Sequence, residues 1–180
     1  MKNRRCFFIG HRNAPESIYT NIVSTIEKLI VENGVKEFVV GNYGMFDSMV
    51  IRALQQLKTK YPDIVLLLLT PYHPSVKTVV KPEDFDEIYY PEGMESVPYK
   101  AAIIEANKKA ISRSEFVIAY FKHSASNTAK FIEYAKYNGV NIYYIDWIKK
   151  LYGLMKYNSN FGITLIFWVM FYWCYFEIKL

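Results

Sequence analysis

The sequence predicts an α/β protein: an open, mostly parallel sheet flanked by helices, with an extra hydrophobic C-terminal segment. Short apolar runs alternate with stretches of helical period along most of the chain, which is the pattern of βα units. The longest of these runs are continuously apolar, as strands covered on both faces require. The 180 residues, 52% hydrophobic and 22% charged, are enough to bury one core of that kind.

The first run, Cys6 to Ile9, is closed by Gly10. Beyond Asn13-Ala14-Pro15, the residues Ile18, Ile22, Ile26, Leu29 and Ile30 recur at spacings of three and four, predicting a helix from about Pro15 to Glu32 that Asn33-Gly34 stops. The second run, Phe38-Val39-Val40, ends at Gly41. A second helix starts near Asp47, carries Val50, Ala53, Leu54 and Leu57 on one face, and ends at Tyr61-Pro62. The third run, Ile64 to Leu69, is unbroken and is expected in the middle of the sheet. Next, Glu83, Asp84, Asp86, Glu87, Glu92 and Glu95 stand without a basic residue around a short strand, Ile88 to Tyr90; they read as a solvated acidic face beside an edge strand. A helix from about Tyr99 to Arg113 leads into Phe116 to Tyr120. A polar loop, a helix ending at Asn138-Gly139 and a last run, Asn141 to Ile145, follow. The folded domain is expected over 1–146 and a C-terminal extension over 147–180.

Composition narrows the function classes. A net charge of +5, from 22 basic and 17 acidic residues, is too modest and too dispersed to predict nucleic acid as a partner. Cys6 and Cys174 have no CxxC or Cys/His spacing, which argues against a zinc module and a disulfide scaffold; His11, His73 and His123 share no ligand spacing, and no metal is expected. Cys6, inside an apolar strand, reads as an inert buried thiol. The apolar run near the N-terminus is too short for a secretory signal and lacks a small-residue cleavage site, so a cytoplasmic location is expected.

In an open parallel sheet, ligands bind beyond the carboxyl ends of the strands, where the strand order reverses. The candidate ligand-binding residues are therefore Gly10, His11 and Arg12 after the first strand, Gly41, Asn42 and Gly44 after the second, and Ser124, Ser126, Asn127 and Thr128 after the fifth. The three glycines let backbone amides approach a ligand or take positive φ. Arg12 offers a planar fork suited to phosphate. Ser124 to Thr128 place hydroxyls and free amides at a helix start, where anions bind. Plainer roles are also open: strand-end turns for Gly10 and Gly41, a surface ion pair for Arg12, and a helix cap for Ser124 to Thr128. Together these residues suggest a nucleotide or phosphate pocket.

Four motifs, in order, carry a resemblance: Phe8-Ile9-Gly10-His11-Arg12; Gly41-x-x-Gly44-x-Phe46-Asp47; Leu57-Lys58-x-x-Tyr61-Pro62; and Thr128-Ala129-x-x-x-Glu133-Tyr134-Ala135. The chain from about Cys6 to Asp146 resembles the YpsA-like branch of the SLOG superfamily, which groups proteins related to DprA/Smf and to the Lonely Guy phosphoribohydrolases. The resemblance implies a Rossmann-like fold and a pocket for a nucleotide or nucleotide-derived ligand, formed at matching positions by Gly10, His11, Arg12, Gly41, Asp47, Thr128 and Glu133. Relatives with hydrolase activity carry a PGGxGTxxE loop, whereas this chain has Ser124-Ala125-Ser126-Asn127-Thr128, with Glu133 five residues after the threonine. An arginine on the preceding helix of such relatives is matched here by Glu105-Ala106-Asn107-Lys108, where neither Ala106 nor Asn107 supplies a bidentate cation. Both departures argue against turnover.

From Phe161 to Ile178 only Glu177 is charged. As a helix at about 1.5 Å per residue, this segment reaches about 27 Å, near the minimum for a bilayer core. Lys149, Lys150 and Lys156 on its amino side suit a cytoplasmic domain. Its aromatics run through the segment instead of collecting at two ends. A tail anchor, an extension packed on the domain or on a second subunit, and a tail from a shifted reading frame are the three readings.

The expectation is a protein that binds a nucleotide-derived ligand as a sensor or accessory factor, without turnover and with no other cofactor. A homo-oligomer and a membrane contact through 161–178 are the partners considered. The first alternative is a nucleotide hydrolase cleaving an N-glycosidic or phosphate bond, with Glu133 and Asp47 as catalytic residues. The second is a DprA-like DNA-binding factor.

Overall fold

A computed structural model describes residues 4–73, 75, 81–122 and 126–145. Six strands, β1 (Arg5–Ile9), β2 (Glu37–Val40), β3 (Val65–Leu69), β4 (Glu87–Tyr89), β5 (Phe116–Ala119) and β6 (Asn141–Tyr144), form one parallel sheet in the order β4-β3-β2-β1-β5-β6. The helices α1 (Tyr19–Asn33) and α2 (Met45–Lys60) are followed by α3 (Ala102–Ser112) and α4 (Asn127–Tyr137). This is the α/β architecture that the alternation of apolar runs and helical stretches predicts.

Side chains that alternate along a strand build two cores. On β1, Cys6 and Phe8 enter a core with Ile22, Ile26 and Leu29 of α1 and with Phe46, Met49 and Leu54 of α2. Phe7 and Ile9 enter the other core, with Ala106, Ala110 and Ile111 of α3 and with Ile132 and Ala135 of α4. Helices therefore cover both faces. Cys6 is fully buried, and that burial pushes its thiol well above the ordinary range, consistent with an inert core residue.

The position of the third strand differs from expectation. The centre of the sheet is β2 and β1, and β3 lies second from the edge. An unbroken apolar run reports that both faces are covered, and β1, β2 and β5 are buried on both faces as well. The run therefore identifies an inner strand without giving its rank.

The helix ends follow local chemistry. Gly34, at φ 62°, closes α1 by donating its N–H to Ile30, and Val35 donates to Leu29, a left-handed cap that favours glycine. Helix α2 starts at Met45, slightly ahead of Asp47, so the carboxylate sits within the first turn instead of at the cap. The edge strand β4 is anchored through Asp86, whose carboxylate accepts the Leu66 N–H at 2.8 Å and pairs with Lys58. Burial pushes the Asp86 carboxyl up, but the Leu66 N–H and the Lys58 ammonium outweigh it and hold the group below its ordinary value. Most of the acidic segment is exposed, as expected, while Asp86 has this structural task.

The extension at 147–180, with its hydrophobic segment 161–178, lies outside the described residues. Among the described residues no helix is long and apolar enough to cross a membrane.

Candidate ligand cleft at the carboxyl end of the sheet

Strand order reverses between β1 and β5, since β2 follows on one side of β1 and β5 on the other. A cleft of about 250 Å³ opens there. It is lined by Gly10, His11 and Arg12 after β1, Gly41, Gly44 and Asp47 around the start of α2, and Asn127 and Thr128 at the start of α4. Three segments far apart in sequence thus meet at one place. Asn42 and Ser126 do not line the cleft, and Ser124 lies outside the described residues.

Arg12 is positioned by backbone. Its carbonyl accepts the Met45 N–H at 2.8 Å, which ties the loop after β1 to the first turn of α2. Gly44 makes this approach possible, because a Cβ there would lie 2.8 Å from the Arg12 Cα. The guanidinium belongs to an exposed residue and forms no ion pair with a described residue. The surface ion pair considered for it is therefore not what these residues form.

The three glycines serve packing. None of them has positive φ, which among the described residues is confined to Gly34, Gly93 and Gly139. A Cβ on Gly10 would lie 2.1 Å from the Cγ of Phe46, and one on Gly41 would lie 3.0 Å from Oδ2 of Asp47. The expected freedom for positive φ is thus not used. What matters is the absence of a side chain where α2 crosses close to the ends of β1 and β2.

Asp47 is half-buried in the first turn of α2, and its Oδ2 accepts the Tyr43 N–H at 2.9 Å. Burial raises its pKa, and the Tyr43 N–H opposes that rise. A carboxyl whose folded pKa exceeds its unfolded value stabilises the fold most below the unfolded value of 3.8 and loses that contribution as pH rises through the raised value. Asp47→Asn keeps an acceptor for Tyr43 and removes the titration. Its melting temperature, compared with the parent from pH 3 to pH 7, is expected to gain on the parent as pH rises; parallel curves would contradict this. His11 is half-buried with its ring edge-on to Tyr120, at 6.2 Å between centroids.

At the start of α4, the Ser126 hydroxyl accepts the Ala129 N–H at 3.2 Å, so Ser126 is the helix cap. Thr128 is buried and faces the cleft, as does Phe131 three residues on. Glu133 does not line the cleft. Its side chain is 71% exposed and pairs with Lys136 at 2.7 Å. Five residues past Thr128 is roughly 140° around a helix of 3.6 residues per turn, whereas three or four residues keep one face. The position three after the threonine, where PGGxGTxxE carries its glutamate, is here Phe131.

On α3, Ala106 and Asn107 line the cleft. The Asn107 amide donates to the Ile103 carbonyl at 2.6 Å and brings no cation. Sequence reasoning left out Leu69 and Pro71 at the end of β3, although the same strand-end rule points to them, and Tyr43, which stands between the two glycines singled out.

No family model and no curated protein matches this chain. Among solved structures it is similar to DNA processing protein A (DprA) from Streptococcus pneumoniae, with 16% identity and a TM-score of 0.59. The match covers 79% of this chain and 50% of that one, so the chain spans about half the length of the structure it matches. At this identity the likeness establishes the fold, which is Rossmann-like and similar to that of DprA.

Proposed function

We propose that this protein binds a phosphorylated, nucleotide-derived small molecule in the cleft beside β1 and acts as a sensor or accessory factor without turnover. The observation that carries this reading is the convergence of Gly10 to Arg12, Gly41 to Asp47 and Asn127 to Thr128 on one cleft at the point of strand reversal. In this reading the phosphate lies against the amides at the start of α4. Ser126 occupies the Ala129 N–H and leaves those of Asn127 and Thr128 to a ligand. Arg12 supplies the counter-charge, and Asp47 accepts from a sugar hydroxyl. The YpsA-like branch of the SLOG superfamily is the family placement we propose, with a cytoplasmic location, a homo-oligomeric state and a membrane contact through 161–178 as parts of the same proposal.

The hydrolase reading is disfavoured by the outward position of Glu133 and by Phe131 where a glutamate is needed. The test is the melting temperature of the full chain against nucleoside monophosphates, NAD, ADP-ribose and cyclic dinucleotides, since a ligand of the native state must raise it. Glu133→Gln is expected to leave any such rise unchanged, with no base released from the bound nucleotide. Base release that Glu133→Gln abolishes would establish the hydrolase instead. Steeply salt-dependent DNA binding with no response to nucleotides would favour a role in DNA processing, as in the neighbour's name.

A further inference from the structure

Beside the ligand cleft lies a second cavity of about 470 Å³, walled by Tyr72, His73, Tyr90, Met94, Glu95 and Tyr99. None of these residues belongs to the site inferred from the sequence. The two spaces adjoin. Pro71 lines both, and on α3 Ala102 faces the second cavity while the next residue, Ile103, faces the cleft. Tyr43, a lining residue of the cleft, is close enough to Tyr72 and Tyr99 that their charges affect its ionisation, after the larger effect of its own burial.

The walls are aromatic and ordered against one another. Tyr72 and Tyr99 stack with centroids 4.4 Å apart and planes 19° from parallel, and His73 stands edge-on to Tyr90 at 5.5 Å. Tyr99 is 60% exposed, which leaves ring surface free for another flat group. Glu95 adds a carboxylate, and Ser75 holds Nδ1 of His73 at 2.6 Å. A cavity that holds a stacked pair of rings and, beside Tyr90, a carboxylate acceptor suits a planar heteroaromatic group carrying an N–H or amino edge. The cleft itself falls below the ~300–1,000 Å³ of typical small-ligand sites, so a nucleotide seated there needs adjoining space for its base.

Building on the phosphate-cleft reading, we propose that this cavity is a base-stacking subsite: the nucleobase of the same ligand lies on Tyr99, with Glu95 accepting from its edge. The specificity of the protein is then for a nucleotide over a sugar phosphate. The experiment is calorimetric titration of the full chain, at one fixed salt concentration, with AMP, ribose 5-phosphate and adenosine. AMP is expected to bind about tenfold more tightly than ribose 5-phosphate, in line with the contribution of one base on one aromatic ring. Tyr99→Ala erases that difference, Tyr99→Phe keeps it, and neither alters ribose 5-phosphate binding. Tyr99 is too exposed for its truncation to threaten the fold. AMP binding that is indifferent to Tyr99→Ala overturns the subsite and leaves the phosphate cleft standing. Adenosine binding that depends on Tyr99, without any binding of ribose 5-phosphate, supports the subsite and overturns the phosphate cleft. Failure of all three compounds to bind overturns both.

Discussion

Gly10→Ala is expected to destabilise the fold by about 3 kcal/mol, at the upper end of the usual cost of overpacking a filled core. The added methyl carbon would lie 2.1, 2.2 and 2.8 Å from Cγ, Cδ1 and Cβ of Phe46, distances that no rotamer adjustment of a methyl can relieve. Phe46 has little room to retreat. It is 1% exposed and stacks at 6.2 Å on Tyr120, itself buried at the end of β5. Either the ring leaves its rotamer or α2 moves off β1, and the second outcome also shifts the Met45 N–H that holds Arg12. Urea unfolding of the parent and the variant measures the cost. Equal midpoints at equal slope would show that the close approach of Phe46 to Gly10 is not a real constraint.

Arg12→Ala is expected to leave stability nearly unchanged and to weaken phosphate-ligand binding by about 1.5–3 kcal/mol, roughly 10- to 150-fold. The residue is exposed, and what the fold requires of it is its carbonyl, which alanine keeps. Lysine is expected to restore only part of the loss, since a point charge lacks the fork that engages two phosphate oxygens. The check is the dissociation constant of AMP for the parent and both variants at one ionic strength. Unchanged affinity in a folded Arg12→Ala protein would remove this residue from the site.

Much of the architecture was legible because periodicity in a sequence records which faces are covered. The apolar positions of Ile22, Ile26 and Leu29 place α1, and Asn33-Gly34 ends it, because both signals are local. Strand rank was not legible: Leu66 to Leu69 and Phe38 to Val40 are equally apolar, and only pairing separates them. Strand-end residues identified the cleft because βα topology sends every ligand-facing loop to one end of the sheet. The reason for the glycines was hidden, since nothing local to Gly10 shows that Phe46 will dock on it. The position of Glu133 could have been read from the sequence, because five residues past Thr128 is the wrong interval for a shared helix face. The aromatic cavity could not, because Tyr72, Tyr90 and Tyr99 come from three separate segments that meet only in the fold.

The central claim is that a phosphorylated nucleotide occupies the cleft where the strand order reverses. The most direct test is to follow the backbone amide resonances of the full chain while AMP and then ADP-ribose are added. The account predicts shifts concentrated at Gly10 to Arg12, Gly41 to Asp47 and Asn127 to Thr128, with the base adding shifts at Glu95 and Tyr99 and the outer face of α1 silent. Shifts centred away from these three segments, or none at millimolar ligand, would contradict it.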